Sequence, residues 1–364
     1  MREPNAVDFW RGVALVTIFV NHIPGNVYER FTHSGYFLSD AAELFVFLAG
    51  WSLALATEAK ATPDTAAQVT FRIVSRSFEV YRIQTVISVM ALAMIAAAAL
   101  RLDNPLLLEW HNAGPFFADP VQSSIGLVLL TYQLGYFNIL PLYVMLLAGA
   151  PVYVLLARRS PWLALALSAG MYGASLIFEL NVPNWPGDGY WFFNPLAWQF
   201  LLALGFLTCV WARRSEAFRL QAKHLIPLGI VGAATGFALV FWDVRPDPYN
   251  VPEPRLFFLY EKSFLSPPRL LEFLALVLAL HRAYPLIERV LGRLVRPISQ
   301  LGRNSLEVFA VSSILSLAAQ LIRATVQPSL LLDSILVGSG ILALVFTAWF
   351  TEWRSRSPKP SLPH

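Results

Sequence analysis

Arg11 and His22 stand in the first apolar stretch of the chain, VDFWRGVALVTIFVNHI, with ten residues between them. An arginine and an imidazole are costly to keep in hydrocarbon, so their presence points to a task. Eleven helical steps of about 100° bring the second back to within about 20° of the first. Asp8, three residues before Arg11, belongs to the same stripe. At about 1.5 Å per residue, Arg11 and His22 lie about 16 Å apart along the axis and line one stripe without touching. A histidine of ordinary basicity can take a proton from a hydroxyl, and a neighbouring carboxylate can fix its tautomer and support its charge.

Two carboxylates are placed for that purpose. Asp40 and Glu43 open the second apolar stretch, SDAAELFVFLAGW, and share a helical face. Their alternative roles are a dipole-favoured carboxylate at a helix start for Asp40 and an arginine partner for Glu43. The segment YEKSFLSPPRLLEF offers Lys262 and Arg269, either as lipid head-group anchors or as a cationic rim for an anionic acyl group or glycan. Asn194 and Gln199 in WFFNPLAWQF, like Asn138 in GYFNILPLY and Asn304 in LGRNSLEVF, are either interhelical glue or site-lining groups. Trp185, Tyr190 and Trp191 cluster in one loop, as belt anchors or as a platform on which sugar rings stack. The remaining histidines, His33, His111, His224, His281 and His364, fall in loops or near span ends and read as solvated. No histidine pair has metal-ligand spacing, so no catalytic metal is expected.

The elements that must carry these residues follow from composition. The chain has 364 residues, 56% hydrophobic and 14% charged, with mean hydropathy +0.55. Soluble domains carry about 25% charged residues. The chain therefore reads as an all-α, polytopic membrane protein. The net charge of +4 lies in short loops, which argues for topology-setting charge and against nucleic-acid binding. A single cysteine, Cys209, excludes an intrachain disulfide and a cysteine metal cluster, and reads as a small packing residue. The N-terminal segment lacks the pattern of a cleaved signal peptide and reads as a retained first span.

About ten spans are expected, near 7–23, 39–57, 82–100, 136–157, 161–179, 194–212, 225–242, 267–284, 303–324 and 331–351. Segment 65–81 is expected as an interfacial amphipathic helix, and 121–135 as a re-entrant or interfacial piece. One set of loops holds Lys60, Arg72, Arg76 and Arg82, then Arg158 and Arg159, then Arg213, Arg214, Arg219 and Lys223. It continues with Arg282, Arg289, Arg293, Arg296 and Arg303, and with Arg354, Arg356 and Lys359. The alternate loops are poorer in Lys and Arg and richer in Pro, Gly, Trp and Asn. That alternation predicts both termini in the cytoplasm. His22, Asp40 and Glu43 are then expected at one level near the outer face, with Arg11 deeper.

WRGVALVTIFVNH followed by ELFVFLAGW resembles the pattern of integral-membrane acyltransferases. DAAELFVFLAGWS, YFNILPLYV, FNPLAWQFL, EKSFLSPPRLLEFLAL and LGRNSLEVFA, in that order, resemble the OpgC family, whose members succinylate osmoregulated periplasmic glucans. The resemblance runs from about residue 5 to residue 310. It implies an acyl-CoA donor, succinyl-CoA, on the cytoplasmic side and a glucan acceptor on the periplasmic side of a bacterial inner membrane. Glucan synthesis machinery is a further implied partner. The resemblance matches His22 to the catalytic histidine and Arg11 to its paired arginine. The arginine-rich cytoplasmic motif of many relatives is represented only by the spaced Arg72, Arg76 and Arg82, which are candidates for the CoA phosphates. Lys262 or Arg269 would meet the succinyl carboxylate, and Trp191, Asn194 and Gln199 the acceptor. The expected organisation is a single acyltransferase domain over 1–352 and a disordered basic tail at 353–364. A transporter or flippase, and a non-catalytic partner of a glucan synthase, are the competing classes. No internal repeat or matched pair of Gly/Pro-broken spans supports the first of these.

Overall fold

The computed structural model describes residues 3–58 and 65–356. Lys60, Lys359 and the tail from 357 onward lie outside the described residues. Fourteen α-helices follow one another among the described residues, and none of these residues forms a named β-strand. The first seven are α1 (Ala6–Asn21), α2 (Ala41–Glu58), α3 (Ala66–Arg101), α4 (Gly114–Ala118), α5 (Pro120–Val128), α6 (Ile139–Arg159) and α7 (Pro161–Ile177). The rest are α8 (Pro195–Arg214), α9 (Glu216–His224), α10 (Ile226–Phe241), α11 (Pro267–Leu280), α12 (Tyr284–Arg303), α13 (Ser305–Thr325) and α14 (Leu330–Arg356).

Every expected span coincides with a helix. Five of the helices, α3, α6, α8, α13 and α14, are long and apolar enough to cross a membrane, and seven spans result if each of two bent helix pairs forms one. One such pair is α9 with α10, bent by 50°. Helices α2 and α7 are apolar but shorter, and α1 has 16 residues.

Segment 65–81 is helical and leads into the third expected span without a break, forming the first half of α3, a continuous helix of 36 residues, about 54 Å long. Its start is set by a capping box: Thr65 Oγ1 accepts from Gln68 N (3.2 Å) and Gln68 Oε1 accepts from Thr65 N (2.9 Å). No Gly or Pro between Ala66 and Arg101 gives the backbone cause to break. Segment 121–135 opens as the short α5, capped by Asp119 on Gln122 N (3.2 Å).

The chain forms two compact units. One joins the chain ends, Met1–Thr32 with Ala283–His364, and contains α1, α12, α13 and α14. The other, His33–Arg282, contains α2 to α11. Both use glycines where backbones cross. In the first unit, a Cβ on Gly12 of α1 would overlap the Ile298 carbonyl of α12, and one on Gly302 would overlap that of Asp8. In the second, Gly50 of α2 faces the Leu202 carbonyl and Gly205 of α8 faces that of Phe47. The reciprocal pairs let helices approach to backbone contact, as small residues do in membrane bundles.

Gly205→Ala is therefore expected to cost about 1–3 kcal/mol, because backbone must move to admit the methyl group. Gly173→Ala in α7 meets open space and is expected to be neutral or to gain up to about 1 kcal/mol from helix propensity. Thermal unfolding in detergent distinguishes them, and equal melting temperatures would contradict the crossing.

Candidate functional site

The larger unit buries a charged knot at the facing starts of α2 and α11. Asp40 immediately precedes α2 and caps it, its Oδ1 accepting from Ala42 N (2.8 Å). Glu43, in the first turn and fully buried, accepts from Asp40 N through Oε2 (2.9 Å). Its other oxygen accepts from Arg269 through Nη2 (2.7 Å) and Nε (3.1 Å). Arg269 Nη2 also lies 3.7 Å from Asp40 Oδ2, and Lys262 donates to that same oxygen. One turn beyond Arg269, Glu272 accepts from Ser39 N (3.0 Å).

The chain leading into α11 is built to hold these cations. Pro267 and Pro268 start the helix, where a missing N–H costs nothing. Leu265 takes a left-handed conformation (φ 49°), and its carbonyl accepts from the Tyr172 hydroxyl (2.7 Å). Trp198 Nε1 of α8 donates to the carbonyls of Lys262 (3.1 Å) and Ser263 (3.2 Å). The Lys262 ammonium sits 5.5 Å from the Phe193 ring centroid and 5.8 Å from that of Phe192.

The structure thus brings Asp40, Glu43, Lys262 and Arg269 together. The pairing was open to sequence reasoning only as an arginine partner for Glu43. The two cations, expected either as lipid head-group anchors or as a cationic rim, are paired with the two carboxylates. Asn194 and Gln199 are engaged by the scaffold. Asn194 caps α8 by accepting from Leu196 N (3.0 Å) and donates to the Leu180 carbonyl (2.7 Å). Gln199 accepts from the Ser168 hydroxyl (2.6 Å) and donates to the Ser168 carbonyl (2.9 Å), tying α7 to α8.

Two cavities flank the segment carrying Lys262. One, of about 460 Å³, is lined by Glu179, Asn181, Tyr190, Trp191, Phe192 and Glu261 among others. The second, of about 440 Å³, reaches Arg269 and is lined by Tyr260, Glu261 and Arg245. They share Leu259 and Glu261. Trp191 itself is only 4% exposed and cannot offer an open ring face, whereas Tyr190 is 66% exposed. The Trp191 indole N–H is buried with no acceptor.

In the smaller unit, His22 ends α1 (φ −82°, ψ 7°). Pro24 and Gly25 (φ 76°) turn the chain away from the helix. The His22 carbonyl accepts from Gln320 Nε2 of α13 (2.5 Å). Arg323 donates to the Gly25 carbonyl (3.0 Å) and pairs with Asp333 of α14, which in turn accepts from Val27 N (3.0 Å). Sequence reasoning missed Gln320, Arg323 and Asp333, although polar groups in the last two apolar runs are the signal that marks them. Arg11 donates to the Gly302 carbonyl near the end of α12 (3.3 Å), a favourable place for a cation. Asp8 bonds with Asn5 (2.6 Å) at the start of α1.

On α3, Arg72 and Arg76 share a face, while Arg82 lies about 120° round from Arg76. Arg76 pairs with Glu79 (2.6 Å), and Arg82 stands 5.9 Å from the Phe78 ring centroid. Among the described residues no group of three or more His, Cys, Asp or Glu side chains is placed to hold a metal ion.

These apolar helices, with ionised groups buried among them, define a multi-pass membrane protein. The chain belongs to the OpgC protein family, whose family model matches residues 2–356, nearly the whole length. A search of curated proteins finds no match. Membership of this family suggests a membrane enzyme of glucan modification.

The Glu43–Arg269 pair yields a stability test. Glu43→Gln leaves a buried guanidinium short of its counter-charge, and a loss of about 3–5 kcal/mol is expected. Adding Arg269→Met should recover most of it. Melting temperatures of the two single variants and the double variant form the cycle, and strictly additive effects would show that the pair is not coupled.

Proposed function

We propose that the protein is a transmembrane O-acyltransferase. It moves an acyl group, succinyl by family resemblance, from cytoplasmic acyl-CoA to hydroxyls of a periplasmic glucan. The active body is a single domain over 1–352 in the bacterial inner membrane, with about ten spans and both termini cytoplasmic. The observation that carries the reading is a histidine, His22, at the turned end of an apolar helix in a chain matched nearly end to end by the OpgC family model.

In this reading the His22 imidazole accepts the proton of a glucan hydroxyl as the oxygen attacks the thioester carbonyl. The C–S bond breaks, the ester forms, and the imidazolium returns the proton to the leaving CoA thiolate. Elbow contacts from Gln320 and Arg323 fix the backbone that carries the ring. Arg72 and Arg76 suit the CoA phosphates, with Arg82 as a more distant contact. Arg11, on the His22 stripe, lies along the donor's path. Asp40 and Glu43 hold Lys262 and Arg269 in place rather than leaving them as free charges.

The paired cavities support a glucan as acceptor. Each falls within the range of about 300–1,000 Å³ found for small-molecule sites. Tyr190 and Phe192 offer aromatic faces to the C–H faces of a sugar, while Glu179 and Glu261 can accept from its hydroxyls.

Transfer from radiolabelled succinyl-CoA to purified glucan by solubilised protein tests the reading. His22→Ala should lower the rate by about 10²–10⁴-fold, and retained activity would refute the base role. Tyr190→Ala with Phe192→Ala should raise the KM for glucan several-fold and leave thioester cleavage intact. Movement of glucan across the membrane without acylation would favour a flippase instead.

A further inference from the structure

Helix α12 differs from the other long helices. Four arginines and a glutamate, Arg289, Arg293, Arg296, Arg303 and Glu288, interrupt its twenty residues, so it is no candidate to cross hydrocarbon by itself. Its two halves have different surroundings. The second half packs on α1, with Val295, Ser299, Leu301 and Gly302 buried. The backbone departs from helical geometry at Leu291 (φ −114°, ψ 24°). Ahead of that point Leu286 and Val290 are more than half exposed, as is Leu294 beyond it.

The exposed side chains are sorted. Ahead of the kink, at about 100° per residue, Leu286 and Val290 fall within about 40° of one another, and Arg289 lies about 60° from the first and about 100° from the second. Beyond the kink Arg293 and Arg296 lie about 60° apart, about 100° and about 160° from Leu294, and all three arginines are exposed. Exposed apolar side chains beside exposed arginines, on a helix too charged to insert, are the pattern of a helix lying in a membrane surface.

A second observation bears on the far end of the same helix. The cytoplasm-expected end of α14 carries a ladder of aromatic rings: Phe346 with Trp349 at 5.6 Å, Trp349 with Trp353 at 6.3 Å, and Phe350 with Trp353 at 5.7 Å. Trp349, Phe350 and Trp353 are exposed, as interfacial belt residues are. Within this ladder, Glu352 accepts from Arg303 (2.9 Å) and Gln300 (3.2 Å) at the end of α12. The end of α12 is thereby pinned at the level of the belt.

We propose that α12 from Tyr284 to Arg296 is a surface anchor for anionic lipid. Leu286, Val290 and Leu294 enter the acyl boundary, and Arg289, Arg293 and Arg296 bind lipid phosphates. Charge complementarity selects an anionic bilayer as the occupant, because three exposed arginines beside exposed apolar side chains match a phosphate layer above acyl chains. The proposal is independent of the chemistry assigned to His22.

The test uses the full chain in vesicles of equimolar phosphatidylcholine and phosphatidylglycerol, against phosphatidylcholine alone. An environment-sensitive fluorophore is attached at Val290→Cys or Arg293→Cys in a Cys209→Ala background. The Val290→Cys probe should be quenched by spin-labelled acyl chains and the Arg293→Cys probe by aqueous iodide. Phosphatidylglycerol should deepen the Val290→Cys probe, and this gain should vanish in Arg289→Gln with Arg293→Gln and Arg296→Gln, by about fivefold in docking equilibrium per charge removed. Far-UV circular dichroism and elution volume check that each variant is folded. Equal iodide quenching at both positions, or an undiminished lipid response in the glutamine variant, would overturn the proposal. Protection of Arg293→Cys by added coenzyme A without any lipid effect would also overturn it, in favour of a soluble phosphate ligand.

Discussion

The Arg269 guanidinium, buried at the start of α11, is the charge around which the larger unit is arranged. An isolated ion in an apolar layer is penalised by several kcal/mol, so partners must meet it where it stands. Glu43 supplies one carboxylate from the first turn of α2, and Asp40 a second, more distant one that is shared with Lys262. That requirement sets which helix starts face one another. The rest of the local structure serves it: prolines that begin α11 on cue, a left-handed residue before them, and donors from Tyr172 and Trp198 that hold the approach. The close α2–α8 crossing through Gly50 and Gly205 brings α8, and with it Trp198, near enough to take part.

The smaller unit solves a different problem. A helix end exposes carbonyls with no intrahelical donor. At the end of α1 these are met from outside the helix. Asn26 donates to Val20 (2.9 Å) and Ile23 (2.7 Å), Gln320 to His22, and Arg323 to Gly25. The polar groups that satisfy the elbow also immobilise the residue proposed for catalysis. Arg11 performs the equivalent service at the opposite end of the stripe, on the last turn of α12.

Charge in this protein has at least three uses, separated by surroundings. In the knot it is compensated and buried. At the elbow Arg323 and Asp333 compensate each other while holding backbone. On the first turns of α12 it is exposed. Sequence composition treats all three as interruptions in apolar runs, yet their physical roles have little in common.

The helical class, the position of each apolar helix and family membership were legible in the sequence, because hydropathy and local order are properties of contiguous residues. The residues at the knot were legible individually for the same reason: an ion in an apolar run stands out wherever it lies. Their pairing was not. Glu43 and Arg269 are separated by 226 positions, and only packing decides that the guanidinium meets that carboxylate. The same limit explains Asn194 and Gln199, open in the sequence as glue or as site-lining groups until Leu180, Leu196 and Ser168 take their hydrogen bonds. It explains Trp191, whose ring is covered while Tyr190 beside it is open. The unbroken α3 is the converse case. Its continuity was written locally, in a capping box and the absence of Gly and Pro, while the charged residues within it suggested a boundary that the backbone had no reason to make. Residue type and spacing determined which groups this chain must keep in an apolar environment. Tertiary structure decided which of them neutralise one another and which face a cavity, because those choices depend on distance in space.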